Sequence, residues 1–118
     1  MSTEPTVFER IVARELPADI VFENERLLAI RDIKPQAPVH LLVFPKAADY
    51  RDVGELSAAD PHLLAEIVGT ARTLAAQHAN GQFRLVFNTG EDAGQTVFHV
   101  HAHVLAGGTE EEGSLGRL

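Results

Sequence analysis

The chain has 118 residues, a formal net charge of −7 at pH 7 and 45% hydrophobic residues, which suits a single domain with one core. The acidic balance argues against binding to DNA or RNA backbones, and the single Tyr50 offers no stacking platform for unpaired bases. Cysteine is absent, which excludes disulfides and thiolate metal sites, and neither a membrane-spanning run nor a signal peptide is recognisable. We therefore expect a cytoplasmic protein with no nucleic-acid or membrane partner.

The first half of the chain predicts a short helix, three strands and an irregular connection. Apolar residues recur at helical spacing from Val7 to Val12, and this helix should end before Pro17. A tight turn between two extended runs predicts an antiparallel hairpin, whereas Pro35 and Pro38 exclude helix from the loop that follows. The predicted segments are disorder over 1–5, strands over 19–23, 27–32 and 40–44, and an irregular connection over 47–59.

The second half predicts one long helix and two further strands. Asp60 suits the capping position and Pro61 the first helical position, while Asn80 and Gly81 supply the stop. The apolar stripe that should face the core consists of Leu64, Ile67, Val68, Ala71, Leu74 and Ala75. The remaining segments are a strand over 83–87, a glycine-rich loop over 88–95, a strand over 96–105 and a patternless tail over 109–118. This order of strands, helix and strands indicates the α+β class with an antiparallel sheet.

The last predicted strand carries three histidines in alternation, His99, His101 and His103. Side chains alternate between the two faces of a strand, so the three imidazoles should share one face while Val100 and Val104 point into the core. Ring nitrogens need hydrogen-bond partners when they are covered, so a row of three indicates a site rather than chance. The glycine-rich loop directly before the row offers N–H donors that suit phosphate oxygens.

Residue chemistry alone leaves four interpretations of the row open. The first is a polar sheet face without chemistry. The second is a metal site in which two imidazoles about 6.6 Å apart along the strand converge on one ion. The third is a catalytic site, because a neutral imidazole is a good nucleophile toward phosphorus and His101 can be oriented by both neighbours. The fourth is a site that binds a ligand without turnover, which the sequence does not separate from catalysis.

The run from His99 to Leu105 resembles the signature of the histidine triad (HIT) superfamily, His-x-His-x-His followed by two apolar residues. Two further segments resemble the Hint branch of nucleoside phosphoramidases. They are DIKPQAPVHLLVFPK at 32–46 and the loop that begins NTG at 88 and leads through AGQ into the histidines. The resemblance runs from about Glu15 to Gly108, and several motifs in the right order make it specific.

The resemblance implies a HIT-like fold in one domain over residues 1–118. Its elements would be a five-stranded antiparallel sheet with one long and one short helix, and the sheets of two copies would join in a homodimer. It implies hydrolysis of the P–N bond of purine nucleoside 5′-phosphoramidates through a nucleotidyl-histidine, with a purine nucleoside monophosphate or its conjugates as ligand and without metal or other cofactor. The alternatives are hydrolysis of dinucleoside polyphosphates or other nucleotidyl conjugates, and a purine-nucleotide sensor or scaffold with little turnover.

The resemblance also implies a role for each site residue. His101 would be the nucleophile, His103 would hydrogen-bond a phosphate oxygen, and His99 and His40 would support both and tune the proton positions. Asp32 would bind the ribose hydroxyls. Ile33 would line the base pocket, and Asn88, Gly94, Gln95 and Thr96 would contact the phosphate or the ribose.

The residues themselves leave simpler roles open for four of these positions. Asp32 and Asn88 could cap their own loops, His40 could be a covered histidine on a sheet face, and Gln95 could be an exposed loop residue. Two departures from the Hint pattern also bear on function. Thr96 stands where serine is common, which keeps the hydroxyl but restricts its rotamer. The acidic tail lacks the tryptophan-containing segment of many Hint proteins, which puts the preference for the leaving group in doubt.

Overall fold

A five-stranded antiparallel sheet lies at the centre of the structure, a computed structural model that describes residues 4–108. The strands are β1 (Ile20–Glu23), β2 (Leu27–Arg31), β3 (Val39–Pro45), β4 (Arg84–Val86) and β5 (Ala102–Ala106). The helices are α1 (Val7–Val12), α2 (Val53–Ala59) and α3 (Pro61–His78). The spatial order is β1-β2-β3-β5-β4, so β3 is central and pairs with β2 on one side and β5 on the other. The prediction of an α+β fold with five antiparallel strands is confirmed.

The two faces of the sheet have different coverings. One face packs against α3 in the larger hydrophobic cluster, whose buried members include Leu27, Ala29, Leu41, Val43, Ile67, Ala71, Leu74, Ala102 and Val104. On the other face, α1 packs Phe8 and Ile11 against Leu28, Ile30 and Phe44. The rings of Phe8 and Phe44 stack with their centroids 4.3 Å apart. Because side chains alternate along a strand, the histidines of β3 and β5 share this second face with α1.

Helix α3 is the long helix that the sequence predicts, with a differently placed buried face. Asp60 caps it by accepting the backbone N–H of Leu63 at 3.1 Å, and Pro61 occupies its first turn. Leu63 and Thr70 are buried, whereas Val68 is 40% exposed. The assignment of Val68 to the core face is wrong, because the buried row begins at Leu63, one residue earlier than the predicted row.

The connection between β3 and α3 is not irregular throughout, since it contains α2. Asp52 caps this helix by accepting the backbone N–H of Glu55 at 2.9 Å, and Leu56 is buried in the larger cluster. The prediction of an irregular connection over 47–59 is therefore wrong over residues 53–59. Within residues 4–108 there are two short α-helices beside the long one, instead of the single short helix expected.

The last strand is shorter than predicted, because it begins at Ala102 rather than at residue 96. Strand β3 pairs with β5 only from Val39, opposite Ala106, to Val43, opposite Ala102. The residues just before Ala102 do not continue this pairing with β3. The N–H of Val100 donates instead to the carbonyl oxygen of Tyr50 at 2.9 Å. His99 and His101 therefore precede the strand, although alternation persists, because Val100 still packs in the larger cluster.

The other strand limits differ from the predictions by one residue. The predictions for residues 1–3 and for the tail at 109–118 lie outside the described residues. None of the helices within residues 4–108 has the length and the apolar character that crossing a membrane requires.

Candidate active site

Four histidine rings gather on the α1 face of the sheet. His40 lies on β3, His103 on β5, and His99 and His101 on the segment just before β5. The ring of His103 lies 5.2 Å from that of His40 and 5.2 Å from that of His101, measured between centroids. Phe8 of α1 contacts the row edge-on, with its centroid 5.4 Å from His99 and 4.9 Å from His101. The structure thus brings the four predicted histidines together beneath one short helix.

His99 is fully buried, and both of its ring nitrogens have partners. Its Nε2 lies 2.6 Å from the carbonyl oxygen of Pro45, which can only accept, so Nε2 carries the proton. Its Nδ1 lies 2.7 Å from the hydroxyl of Thr6. That hydroxyl accepts the backbone N–H of Glu9 at 3.1 Å, which leaves its own proton to donate to Nδ1. Burial lowers the pKa of His99, so the ring is neutral.

His101 holds its proton on the opposite nitrogen. Its Nδ1 lies 2.9 Å from the carbonyl oxygen of His99, so Nδ1 donates and Nε2 keeps a lone pair. Burial lowers the pKa of His101, against smaller opposing effects from the hydrogen bond to the His99 carbonyl and from the charge of Asp32, so the lone pair is available at pH 7. Unlike His99, His101 is only half-buried. An accessible neutral imidazole with a fixed tautomer is a competent nucleophile.

His40 and His103 form a relay that begins at a backbone amide. The N–H of Gln36 donates to Nδ1 of His40 at 3.0 Å, so His40 carries its proton on Nε2. That nitrogen donates to Nδ1 of His103 at 2.9 Å, which places the proton of His103 on Nε2. Burial, reinforced by the neighbouring His101 and His40, lowers the pKa of His103 to about 4. His103 is thus a neutral ring whose Nε2–H can donate to a ligand oxygen.

Asp32 follows β2, and its carboxylate makes two contacts, one of which is the loop cap that the sequence left open. Its Oδ1 accepts the backbone N–H of Lys34 at 2.8 Å, so the carboxylate does cap its loop. Its Oδ2 lies 3.4 Å from Nε2 of His40, and the negative charge raises the pKa of His40 against the larger lowering by burial. The carboxylate retains lone pairs for further donors, because each oxygen can accept more than one hydrogen bond.

Asp32, His40 and His103 are close enough to be considered as metal ligands, since their nearest ligand atoms lie within 4.8 Å of one another. The hydrogen bond from Gln36 opposes that use. A metal at Nε2 of His40 would require the proton to move to Nδ1, where it would face the Gln36 N–H. The donor set therefore fits a hydrogen-bond relay better than a metal site.

Gln95 is buried and serves the loop itself. Its Oε1 accepts the N–H of Gly90 at 2.8 Å, and its Nε2 donates to the carbonyl oxygens of Arg51 at 2.7 Å and Val97 at 3.1 Å. The alternative of an exposed loop residue is wrong, because Gln95 is only 4% exposed. Its side-chain amide is engaged by backbone groups, so Gln95 shapes the loop rather than offering a free amide to a ligand.

The other predicted binding residues lie on the loop after β2 and on the segment between β4 and β5, and their side chains are more open. Ile33, on the loop after β2, is 89% exposed, and Asn88 is half-buried at the start of the glycine-rich loop. Gly94 adopts a left-handed backbone with φ of 89°, which favours glycine, and Thr96 is exposed. Thr96 also lines a groove of about 960 Å³ beside α1, together with Thr6 and other residues.

Sequence reasoning missed two contributors to the site. Thr6 touches His99 across 93 positions of sequence, which no local pattern reports. A local signal did exist for its capping role, since Thr6 and Glu9 form a Thr-x-x-Glu capping box before the apolar run of α1. Gln36 contributes only a backbone N–H, which leaves no signal in the residue type.

Comparison with known proteins gives a consistent set of relatives. The family model described as "Scavenger mRNA decapping enzyme C-term binding" matches residues 5–116. An uncharacterised HIT-like protein of Synechocystis is 47% identical, over 88% of this chain and 91% of that protein. The adenylylsulfatase HINT1 of Arabidopsis thaliana is 39% identical, over 90% of this chain and 74% of that protein. The purine nucleoside phosphoramidase of Escherichia coli K12 is 39% identical over 88% of each.

A solved structure shows the same fold. A HIT family hydrolase from Legionella pneumophila superposes with a TM-score of 0.82 at 41% sequence identity, covering 90% of this chain and 95% of that one.

Proposed function

The chain belongs to the histidine triad family, in its Hint branch, and from that membership we propose that it hydrolyses purine nucleoside 5′-phosphoramidates with His101 as the nucleophile. One observation carries the proposal. The hydrogen bond from Nδ1 of His101 to the carbonyl oxygen of His99 leaves the lone pair on Nε2 of a half-buried neutral ring. The phosphoramidase among the relatives supports the choice of substrate.

The first step forms a covalent intermediate. Nε2 of His101 attacks the α-phosphorus and an N–P bond forms, while the P–N bond to the amine breaks and the amine departs with a proton taken from solvent. The Nδ1–H bond to the carbonyl of His99 stabilises the positive charge that the attacking ring acquires. The Nε2–H of His103 donates to a phosphate oxygen, where negative charge grows in the transition state.

The second step regenerates the ring. Water attacks the phosphorus of the nucleotidyl-histidine and gives up a proton to solvent, the bond between phosphorus and Nε2 of His101 breaks, and the nucleoside monophosphate leaves. A low pKa suits His103 in both steps, because a neutral ring keeps its single donor in place without placing a second cation beside His101.

The nucleotide would lie between the loop after β2 and the glycine-rich loop. Asp32 would accept the ribose hydroxyls, and the exposed Ile33 would cover one side of the base. Asn88, Gly94 and Thr96 would contact the phosphate or the ribose, with Gln95 holding the loop in shape. We also propose that the protein acts as a homodimer in the cytoplasm.

The adenylylsulfatase among the relatives favours a second candidate reaction. In that case the same attack by His101 would expel sulfate from an adenylyl sulfate, so that a P–O bond breaks instead of P–N. The nucleophile, the His103 donor and the monophosphate product are common to both reactions. Only the leaving group differs, and we expect Thr96, which stands where the Hint branch commonly has serine, to influence it.

Turnover of an adenosine 5′-phosphoramidate that carries a fluorescent amine tests the proposal. We expect the native chain to release the amine, and His101→Ala to lose turnover by several orders of magnitude while still binding adenosine monophosphate. Parallel assays with adenylyl sulfate and a dinucleoside polyphosphate rank the leaving groups. Binding without turnover of any of the three would overturn the hydrolase proposal and favour a nucleotide sensor.

A further inference from the structure

Thr6 lies at the start of α1, far in sequence from the histidine row, and its hydroxyl serves two partners at once. It accepts the N–H of Glu9 at 3.1 Å, and it lies 2.7 Å from Nδ1 of His99. The first contact caps the helix, and the capping box is completed by the N–H of Thr6 donating to Oε1 of Glu9 at 3.0 Å. The second contact has no role in helix capping.

We propose that Thr6 is a positioning residue for the nucleophile, because its hydroxyl fixes the ring of His99, whose own carbonyl oxygen orients His101. This inference rests on the proposed function. It adds a residue of the N-terminal helix to a site otherwise built from the sheet and its loops.

The contacts form a continuous chain of fixed groups. The Thr6 hydroxyl donates to Nδ1 of His99, and Nε2 of His99 donates to the carbonyl of Pro45 at 2.6 Å. The ring is thus held from both sides, between the beginning of α1 and the end of β3. The carbonyl of His99 accepts from Nδ1 of His101 at 2.9 Å, so a shift of residue 99 moves the acceptor that sets the His101 tautomer.

The contact is enclosed by apolar groups, which makes the loss of a partner costly. The ring of His99 is fully buried and meets Phe8 and Phe44 edge-on, at centroid distances of 5.4 and 5.8 Å. Without the Thr6 donor, Nδ1 would be a buried acceptor with no partner, and the ring or the peptide would shift to find one. The charged or titratable groups that face His99 are Glu9 on α1, Asp49 after β3, and His101.

Three substitutions at Thr6 separate the two roles of the hydroxyl. Thr6→Ser keeps the cap and the donor to His99. Thr6→Val is nearly isosteric and removes both. Thr6→Asp keeps a good capping acceptor but cannot donate to Nδ1. Glu9→Ala is the matched control, because it removes the other half of the capping box and leaves the Thr6 hydroxyl in place.

The measurements are kcat and KM for the fluorescent phosphoramidate between pH 5 and pH 9, with ¹⁵N NMR of the histidine rings. We expect Thr6→Val to lower kcat about tenfold with little change in KM, as loss of one hydrogen bond implies. Thr6→Ser should restore kcat, and Glu9→Ala should keep the native kcat despite a lower stability. The spectra should show the proton of His99 on Nε2 and that of His101 on Nδ1 in the native chain, and a mixed His101 tautomer in Thr6→Val.

Thr6→Asp gives a readout that a purely structural role would not produce. A carboxylate beside Nδ1 raises the pKa of His99, and the protonated ring can then donate to it. The kcat of Thr6→Asp relative to the native chain should therefore increase as the pH falls.

A native kcat and pH profile in Thr6→Val, or an equal loss in Glu9→Ala, would overturn the inference. If Thr6→Val does not fold, a flat pH ratio for Thr6→Asp overturns it instead. If the native chain hydrolyses none of the substrates, the proposed function fails, while the NMR spectra still decide the inference. A His99 proton on Nδ1 in the native chain would contradict it.

Discussion

At the scale of single residues, three of the four histidines receive their proton position from a main-chain group that can only accept or only donate, and His103 receives its own from His40. Carbonyl oxygens of Pro45 and His99 accept from His99 and His101, and the N–H of Gln36 donates to His40. One tautomer per ring satisfies all of these contacts together. The result is a lone pair on His101 beside an N–H donor on His103, which is the pair that attack on a phosphate requires.

Gln95 offers a prediction at the same scale, because its amide joins three backbone groups from two different segments. Gln95→Glu keeps the acceptor for Gly90 but replaces two donated hydrogen bonds with repulsion between oxygens. We expect the free energy of unfolding to fall by about 1–3 kcal/mol. KM for the phosphoramidate should rise as the loop changes shape. Urea denaturation and steady-state kinetics measure the two effects.

Gln82→Glu is the matched control for this substitution, because it makes the same change of charge on an exposed residue. It should leave both quantities close to their native values. Equal effects of the two substitutions would show that charge, and not the loop contacts of Gln95, is responsible.

At the scale of elements, the two short helices combine a side-chain cap with a contact to the rest of the fold. Thr6 caps α1 and also touches His99, and Asp52 caps α2, whose Leu56 enters the larger cluster. Both caps lie close to the site in sequence or in space, since Gln95 donates to the carbonyl of Arg51, next to Asp52. Short helices gain most of their stability from such contacts rather than from intrinsic propensity.

Asp52→Ala tests the cap of α2. Loss of the hydrogen bond to the N–H of Glu55 should lower the free energy of unfolding by about 0.5–2 kcal/mol, as for other capping residues. Asp52→Asn retains an acceptor at the same place and should lose much less. Urea denaturation of the three proteins measures the difference, and an equal loss in both variants would mean that the charge, not the cap, stabilises the helix.

The sequence predicted those elements whose signals are local. The Asp60–Pro61 start and the alternation around the histidines gave α3 and the shared face of the row correctly. The sequence-based prediction failed at α2, because its seven residues carry too short an apolar pattern. It also failed at the start of β5, which depends on where β3 stops pairing. The Thr6–His99 contact could not be predicted, because it depends on how α1 packs across the sheet.

At the scale of the whole molecule, the two faces of the sheet carry different kinds of residue. The face against α3 is filled by the larger apolar cluster, whereas the face against α1 carries the four histidines beside a smaller one. Three of these histidines, His40, His99 and His103, are buried, and burial lowers the pKa of all three. The folded protein therefore holds neutral rings that an unfolded chain would protonate in mild acid.

This difference predicts how stability depends on pH. A folded-state pKa below the unfolded value means that the unfolded chain binds more protons in mild acid, so stability is fully present above about pH 6.5 and falls as the pH drops toward 4. Each histidine adds a slope of at most about 1.4 kcal/mol per pH unit. Urea denaturation between pH 7 and pH 4 measures the total slope.

His103→Asn isolates one part of that slope. Its side-chain oxygen can still accept from Nε2 of His40, but it does not titrate, so the slope between pH 6.5 and 4 should be smaller than in the native chain. An unchanged slope would contradict the low pKa of His103.

The proton pattern of the site is set largely by main-chain groups, and this bears on how the protein can vary. The peptide N–H at Gln36 and the carbonyls of Pro45 and His99 are present whatever side chain the position carries, apart from a proline at position 36. Substitutions at positions 36 and 45 can therefore accumulate without altering the tautomers. The side chains at these two positions can change without affecting catalysis through the tautomers. Thr6 acts through its own hydroxyl, so a substitution that removes this hydroxyl does affect the site.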